Sequence, residues 1–343
     1  MKPKKILIID GDLVAYRSAA AVEKRTIIAK HIKSGRTKEL NTRTELKELC
    51  KAKGITYDKA DYEITDVQTP EDISHALYIV KNLINNLKEQ LQPDSIEMYI
   101  GSGETFRHRL PLPSPYKANR AEGLRPKLLK EVREYLMTQF NCSYVKDLEV
   151  DDVCSIRAYE ELAKGNIPIL STIDKDAQQT QGVIVVNFAE GSEYDALEPI
   201  PLVGSLVRIE KTDSKGKKSY TIKGNGLMFL AWQVCSSDPA DTYMGYELSQ
   251  VKGYGPTKAY NALQGCQTEQ EILRVLIREY QLLYPDYVEY TDVHGVPQRM
   301  NWNDLLCMYW KCAYMKRSWE DASYFWDYAR ERAVYWKDYF DEN

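Results

Sequence analysis

Residues Lys5–Asp10 read KILIID, an almost unbroken apolar run that ends in a carboxylate. A run without polar alternation is typical of a strand covered on both faces, as in a parallel sheet flanked by helices. Three further runs have the same character: SIEMYI (Ser95–Ile100), IPILST (Ile167–Thr172) and VIVVNF (Val183–Phe188). The four runs therefore predict the strands of one mostly parallel sheet.

Helical patterns separate these runs. PEDISHALYIVKNLINNLKEQL (70–91) has apolar residues at helical spacing, and LRPKLLKEVREYLMTQF (124–140) and VDDVCSIRAYEELAKG (150–165) predict two more helices. Strands that alternate with helices indicate an α/β fold with helices on both faces of the sheet. RIEKTDSKGKKSYTIKG (208–224) predicts a β-hairpin insertion, and the chain after it is mostly helical and rich in Trp and Tyr.

The composition excludes several classes of protein. The 343 residues are 43% hydrophobic and 28% charged, which excludes a disordered, collagen-like or membrane-embedded chain. No apolar run approaches the roughly 20 residues of a membrane-spanning helix. The basic start MKPKK resembles a secretory signal, but Asp10 and Asp12 interrupt the apolar stretch that follows. We therefore expect a cytoplasmic protein with no membrane partner.

The charge is unevenly distributed although the net value is only −4. Residues 24–53 contain seven Lys and three Arg against three Glu, and residues 102–133 contain eight basic against three acidic residues. Such segments are commonly solvated faces, but they also suit a polyanionic partner. We interpret the segment 24–53 as an insertion that contacts nucleic acid or a partner protein.

Acidic residues cluster at strand ends and helix starts. The clusters are Asp10 and Asp12; Glu149, Asp151 and Asp152; Asp174 and Asp176; and Asp238 and Asp241. Any single cluster is more simply explained as helix capping. Four clusters converging on one cleft would repel each other unless cations lay between them. Oxygen ligands of this kind suit Mg²⁺ or Mn²⁺, so the sequence predicts a divalent-metal site.

PYKANR (115–120) lies in the second basic segment. It is compatible with an ordinary exposed loop, since Pro and Asn are common in turns. In a nucleic-acid-binding protein, Lys117 and Arg120 would donate to phosphate and Tyr116 would stack on a base.

VKGYGPTKAYNAL (251–263) has two closely spaced glycines before a Pro that can start a helix. The backbone N–H groups of such a hairpin can hold a phosphate without reading base sequence. This predicts nucleic-acid contacts at Lys252, Gly253, Gly255 and Lys258.

IIDGD, PYKANR, LEVDD, STIDKD, SSDPAD and VKGYGPTKA occur here in the order found in the 5′ nuclease or flap endonuclease family. The chain resembles most the 5′-to-3′ exonucleases of bacteriophages, over about residues 4–263. The resemblance implies a PIN-like, Rossmann-related core, a helical arch, and a helix-hairpin-helix that grips duplex DNA and holds a monovalent cation such as K⁺. It implies a two-metal 5′-to-3′ exonuclease or flap endonuclease, in phage DNA replication or host DNA degradation.

The resemblance also implies roles for individual residues. Lys117 would approach the scissile phosphate, with Arg120 beside it in the catalytic set. The implied ligands are Asp10, Glu149 and Asp151 for the first ion, Asp174, Asp176 and Asp241 for the second, with Asp152 and Asp238 completing the site directly or through water. Ser102 departs from the family, which has an Asp there; Glu104 or a water would fill that place, or metal affinity would be lower.

The expected division is a PIN-like core with basic insertion and arch (1–190), a β-hairpin and helix-hairpin-helix region (191–265) and a helical region (266–343). In the last region, the stripe of Leu306, Tyr309, Trp310, Ala313 and Tyr314 predicts core packing rather than a docking surface. The implied partners are DNA with a 5′ end or flap, RNA:DNA hybrids and replication proteins.

Two rival functions stay open. An RNA-directed PIN-type ribonuclease or an RNase H-like enzyme would share the acidic core. A non-catalytic DNA-end-binding protein on a nuclease fold is the other rival, and Ser102 is the best argument for it.

Overall fold

The computed structural model describes residues 2–120, 123–189, 197–212, 216 and 218–339. Its strands are β1 (Lys5–Asp10), β2 (Glu23–His31), β3 (Thr37–Leu40), β4 (Tyr62–Pro70), β5 (Ser95–Thr105), β6 (Ser143–Asp147), β7 (Ile167–Ser171), β8 (Ile184–Val186), β9 (Ser205–Thr212), β10 (Lys218–Asn225), β11 (Ser237–Asp238), β12 (Tyr243–Met244), β13 (Val288–Thr291) and β14 (Pro297–Met300). Its α-helices are α1 (Gly11–Ala21), α2 (Arg43–Ala52), α3 (Ile73–Leu91), α4 (Leu129–Gln139), α5 (Val150–Ala163), α6 (Gly226–Cys235), α7 (Pro256–Leu263), α8 (Glu269–Leu283), α9 (Trp302–Ala313) and α10 (Phe325–Glu331).

The central sheet has five strands in the order β6-β5-β1-β7-β8, and every neighbouring pair is parallel. This confirms the α/β class with a mostly parallel sheet. The predicted runs at 5–10, 95–100, 167–172 and 183–188 correspond to β1, β5, β7 and β8. The edge strand β6 was not predicted, because its sequence SYVKD is short and polar.

The apolar run of β1 is explained by burial on both faces of the sheet. Ile6 and Ile8 pack in one cluster with Val150 and Cys154 of α5. The alternate residues, Leu7 and Ile9, are also fully buried. A strand covered on both faces needs no polar alternation, and this fixes β1 as the centre of the sheet.

Contacts divide the chain into two compact units. The first comprises residues 1–11, 87–123 and 142–343, and the second comprises residues 12–86 and 124–141. The hairpin and the C-terminal helices belong to the same unit as the central sheet, and the division at 190 and 265 stays a prediction.

In the second unit, the basic segment is a folded element. Strands β3-β2-β4 form an antiparallel sheet, and α2 packs on it. Ile27, Ala29 and Leu40 of the sheet meet Leu46 and Cys50 of α2 in a small core. The basic residues predicted to contact nucleic acid are therefore displayed on a sheet and a helix rather than on a loose loop.

In the first unit, a large apolar cluster joins α6, α7, α8, α9 and α10. It contains the whole stripe at 306, 309, 310, 313 and 314, which confirms the prediction that these residues are core. The predicted hairpin is also present as β9 and β10, although residues 213–215 and 217 of its turn lie outside the described residues.

Between β5 and α4, the resemblance leads us to expect a helical arch. The described residues there contain short 3-10 helices at Phe106–Arg109 and Ala118–Arg120, and residues 121 and 122 lie outside the description. The arch stays a prediction. Among the described helices, none is both long and apolar enough to cross a membrane.

Gly11, the residue after β1, approaches β5 closely. A Cβ atom on Gly11 would lie 2.7 Å from the carbonyl oxygen of Tyr99 and 3.0 Å from side-chain atoms of Met98 and Ile100. The carbonyl cannot move without disturbing the sheet, so we expect Gly11→Ala to lower the free energy of unfolding by about 1–3 kcal/mol in urea denaturation. Gly265→Ala is the control, because a Cβ there meets no atom within 4 Å. Equal stability of the two variants would contradict this close approach.

Candidate metal centre

The carboxyl ends of parallel strands lie along one edge of the sheet, and the acidic clusters follow three of those ends. Asp10 is the last residue of β1, and Asp174 comes three residues after β7. Glu149 follows β6 and is the residue before α5. Segments far apart in sequence are thus brought together because their strands are neighbours in the sheet.

Asp10, Asp151 and Asp174 line one small pocket together with Cys154 and Leu170. Asp10 is 5% exposed. Asp151 is in the first turn of α5, where the helix dipole favours a negative charge. Asp174 caps the following 3-10 helix by accepting from the backbone N–H of Asp176 at 2.9 Å. We call these three residues the first carboxylate group.

Asp176, Asp238 and Asp241 form a second carboxylate group. Each offers one oxygen, and these three oxygens lie within 4.8 Å of one another. Asp238 and Asp241 are buried at the turn between β11 and β12, and Asp176 is half-buried. The sequence assigned Asp174, Asp176 and Asp241 to one ion and gave Asp238 a supporting role. In the structure, Asp174 lines the pocket of Asp10 and also bonds to the backbone of Asp176, and Asp238 lies close to Asp176. The assignment of each acid to an ion stays a prediction.

Lys117 of the PYKANR motif lies between Glu149 and Asp241. Its Nζ donates to Glu149 Oε1 at 2.6 Å and is 3.6 Å from Asp241 Oδ1. Its backbone N–H donates to the carbonyl oxygen of Asp241 at 2.9 Å, and its φ of +56° is left-handed. The motif therefore reaches the acidic cluster, and the approach of Lys117 to a phosphate stays a prediction.

Tyr116 requires a correction. Its ring is 5% exposed and belongs to the large apolar cluster, so it offers no open face on which a base could stack. Its hydroxyl donates to Asp241 Oδ2 at 2.7 Å. Burial and the nearby Glu149 raise the pKa of this phenol well above its usual range, so it stays protonated and acts as a donor. Tyr116 orients Asp241 instead of contacting nucleic acid.

Asp152 is fully buried, and both of its carboxylate oxygens are bonded to Arg107. Nη1 donates to Oδ2 at 2.6 Å and Nη2 to Oδ1 at 3.0 Å. Burial works against the charge of the guanidinium, but Asp152 and Glu149 outweigh burial and raise the pKa of Arg107 well above its usual range. The structure therefore gives Asp152 an arginine partner, while a contact to an ion stays a prediction.

Three other carboxylates have raised pKa values, so their ionisation is less favourable in the folded protein than in water. Burial, together with Glu149 and Asp152, raises the pKa of Asp151 well above its usual range. Burial and Asp176 raise the pKa of Asp174 to about 6. Burial also raises the pKa of Asp241, with Lys117 acting in the opposite direction. These groups are crowded enough that protons or other cations are favoured among them.

Besides Tyr116 and Lys117 at Asp241, Gln233 and Lys175 contact the second carboxylate group. Gln233 Nε2 donates to Asp176 Oδ1 at 2.6 Å. Lys175 Nζ lies 2.8 Å from the same oxygen and also donates to Asp238 Oδ2. Burial disfavours the ammonium, but Asp176 and Asp238 outweigh it and raise the pKa of Lys175 above its usual range.

Three candidate residues remain. Asp12 belongs to the second unit, where it pairs with Arg133 at 3.1 Å, and its convergence with the other acids stays a prediction. Ser102 and Glu104 are exposed, and the Ser102 hydroxyl bonds to the Glu104 carbonyl at 3.4 Å. Among the described residues, no hydrogen bond or ion pair joins Ser102 or Glu104 to the carboxylate groups.

The predicted DNA contacts are only partly described. Lys252, Gly253 and Lys258 are exposed, and Gly255 is the residue before α7. Trp232 of α6 donates to the Pro256 carbonyl at 3.0 Å, which ties the two helices on either side of the glycine turn together. The side chain of Arg120 lies outside the description.

Sequence reasoning missed Arg107, Lys175 and Gln233. Lys175 lies inside the STIDKD motif between two predicted ligands, and this position could have indicated that it contacts the acids. Arg107 and Gln233 gave no local signal, because their acidic partners are 45 and 57 residues away in sequence.

The donor set fits a hard divalent cation. The two groups offer carboxylate oxygens, which Mg²⁺ and Mn²⁺ prefer, and within the described residues of both groups there is no His ligand. Burial, together with neighbouring negative charges, raises the pKa values of Asp151, Asp174 and Asp241, and a divalent cation would favour their ionised forms.

No family model matches the chain, and no curated protein matches it. Solved structures similar to it include a flap endonuclease of bacteriophage T5 in a pseudo-enzyme-product complex with DNA and metal ions. The two sequences are 14% identical, the match covers 82% of this chain and 89% of that chain, and the TM-score is 0.41. A 5′-exonuclease of T5 with zinc has 14% identity, coverage of 80% and 89%, and a TM-score of 0.33. Because these identities and TM-scores are low, we draw no conclusion about function from the similarity.

The ion pair of Arg107 predicts a large effect on stability. Arg107→Met would leave Asp152 buried without its partner, and breaking such a pair costs about 3–5 kcal/mol. Adding Asp152→Asn should recover part of the loss, because it removes the uncompensated charge. Urea denaturation of the wild type, both single variants and the double variant measures this coupling. Strictly additive losses would contradict the pairing.

Asp174 predicts a pH dependence. Its folded-state pKa of about 6 lies above the usual 3.8, so the folded protein binds this proton more tightly than the unfolded chain does. The free energy of unfolding without metal therefore falls as the pH rises from about 4 through about 6. Asp174→Asn keeps a capping oxygen but loses the charge. We expect its stability advantage over the wild type, measured in EDTA, to be larger at pH 7.5 than at pH 5; a constant difference would contradict the raised pKa.

Proposed function

We propose that the protein is a divalent-metal-dependent nuclease that hydrolyses phosphodiester bonds of DNA at 5′ ends or flaps. One observation carries the proposal: two groups of carboxylates lie in one unit, and a lysine of a basic motif reaches between Glu149 and Asp241. This combination matches what phosphodiester cleavage requires, which is cation binding beside a site that can neutralise phosphate.

We propose that two Mg²⁺ or Mn²⁺ ions are the cofactors. When bound, they would supply Lewis-acid stabilisation of the charge on the phosphate and lower the pKa of water. Asp10, Asp151 and Asp174 would hold the first ion, with Glu149 beside them. Asp176, Asp238 and Asp241 would hold the second ion.

Lys117 would stabilise the negative charge that develops on the scissile phosphate. Its Nζ is now held by Glu149 and Asp241, and its backbone is fixed to Asp241. Divalent cations would compensate the charges of Glu149 and Asp241, so the ammonium would become available to phosphate. Arg120, three residues further along the motif, is proposed as a second phosphate donor.

We propose that DNA is gripped away from the chemistry by the glycine turn before α7, where Lys252 and Lys258 are exposed. Backbone N–H groups at Gly253 and Gly255 would contact phosphate, with a monovalent cation such as K⁺ at the turn. The basic residues at 24–53 are proposed as further contacts to nucleic acid. Contacts of this kind do not depend on base sequence, as an enzyme acting on ends or flaps requires.

The test is a nuclease assay with purified protein and Mg²⁺ or Mn²⁺. The substrates are 5′-labelled duplex DNA, a 5′ flap, single-stranded DNA, an RNA:DNA hybrid and RNA alone. Metal-dependent release of products from the 5′ side of the duplex or flap is expected. DNA binding without cleavage would favour the non-catalytic end-binding protein, and cleavage confined to RNA would favour the ribonuclease.

Lys117→Ala tests the assignment of the basic motif. Loss of a charge that stabilises the transition state should lower the single-turnover cleavage rate by about 10²-fold or more. Lys164→Ala is the control, because this lysine pairs with Glu161 at 2.7 Å outside the site. If the two variants cleave at the same rate with saturating enzyme, Lys117 has no role in the reaction.

A further inference from the structure

Lys175 is placed where a cation would be bound. Its Nζ lies 2.8 Å from Asp176 Oδ1 and also contacts Asp238 Oδ2. These two residues, with Asp241, are the three whose oxygens lie within 4.8 Å of one another. An ammonium group of this chain therefore bridges two of the three acids to which we assign the second ion.

The acids that Lys175 bridges are shielded from water, whereas Lys175 itself is not. The side chains of Asp176 and Asp238 are 14% and 2% exposed. Two carboxylates this close and this buried repel each other strongly without a cation between them. The Lys175 side chain is 51% exposed, so its ammonium can move into water by rotating the side chain, without disturbing the core.

Each acid also has a neutral donor that would stay when Lys175 leaves. Gln233 Nε2 donates to Asp176 at 2.6 Å, and the backbone N–H of Ala240 donates to Asp238 Oδ1 at 2.9 Å. Tyr116 donates to Asp241 at 2.7 Å. These bonds keep the three carboxylates oriented, so the exchange of one cation for another needs no rearrangement of the acids.

We propose that Lys175 is a built-in counter-ion of the second carboxylate group, which holds Asp176 and Asp238 together in the metal-free protein and is exchanged for the divalent ion. This inference rests on the proposed function, because it takes the second group to be a metal site. It adds that metal binding at this group is a competition between a tethered ammonium and a free divalent cation.

If the ammonium of Lys175 competes with the metal ion, one substitution should lower the stability of the metal-free protein and raise its affinity for the ion. Lys175→Met removes the ammonium and keeps an apolar stem of similar length. Without the counter-ion, the metal-free protein should melt at a lower temperature. Without the competitor, the group should bind Mn²⁺ more tightly, on the order of tenfold or more, since like charges at contact distance interact strongly at a partly buried site.

The experiment uses the full chain without nucleic acid. Melting is measured in EDTA, and free Mn²⁺ is measured by electron paramagnetic resonance during a titration. Lys175→Arg retains the positive charge and should keep the metal-free melting temperature near that of the wild type. Lys164→Met is the matched control, because Lys164 is similarly exposed at 57% and pairs with Glu161 outside the group.

A lower metal-free melting temperature together with tighter Mn²⁺ binding in Lys175→Met, and neither change in Lys164→Met, supports the proposal. If the wild type binds Mn²⁺ and Lys175→Met binds it equally or more weakly, the counter-ion exchange is wrong while the metal centre stands. If the wild type binds no Mn²⁺, both the exchange and the proposed function are overturned.

Discussion

Repulsion among carboxylates is the constraint on which the site depends. Eight acids lie near the carboxyl edge of the central sheet: Asp10, Glu149, Asp151, Asp152, Asp174, Asp176, Asp238 and Asp241. Among the described side chains, Arg107 contacts Asp152, Lys117 contacts Glu149 and Asp241, and Lys175 contacts Asp176 and Asp238. The raised pKa values of Asp151 and Asp174 show that this compensation is incomplete. A fold with this arrangement gains stability from cations, and that is the physical basis of the proposed function.

The C-terminal helices contribute to the site through Arg107. This guanidinium donates to the carbonyl oxygens of Lys311, Cys312 and Tyr314 as well as to Asp152. Those carbonyls lie at the end of α9, whose Trp310 packs against Tyr314 and Phe325 in the apolar cluster. The aromatic core therefore fixes the backbone that holds Arg107, and Arg107 in turn fixes the first turn of α5. The C-terminal region, whose sequence indicated only core packing, therefore helps to hold Asp152 in place through Arg107.

Much of the sheet could be predicted because its strands are buried on both faces, as the run KILIID shows. The acids could be predicted because they follow strand ends, a local property of the sequence. The sheet of β2, β3 and β4 could not, because strands such as EKRTIIAKH are half-exposed and their charges suggested only a basic segment. The burial of Tyr116 and the contact of Lys175 with Asp238, 63 residues away, depend on tertiary packing. Local patterns therefore located the candidate ligands, whereas their grouping and the basic side chains that contact them depend on the fold.

The central claim is that these acids bind two divalent cations. The most direct measurement is a crystal structure of the protein grown with Mn²⁺, with anomalous scattering recorded to locate the manganese. The account predicts two anomalous peaks, one among Asp10, Asp151 and Asp174 and one among Asp176, Asp238 and Asp241. Maps with no peak at either group, at Mn²⁺ concentrations that saturate binding in solution, would contradict it.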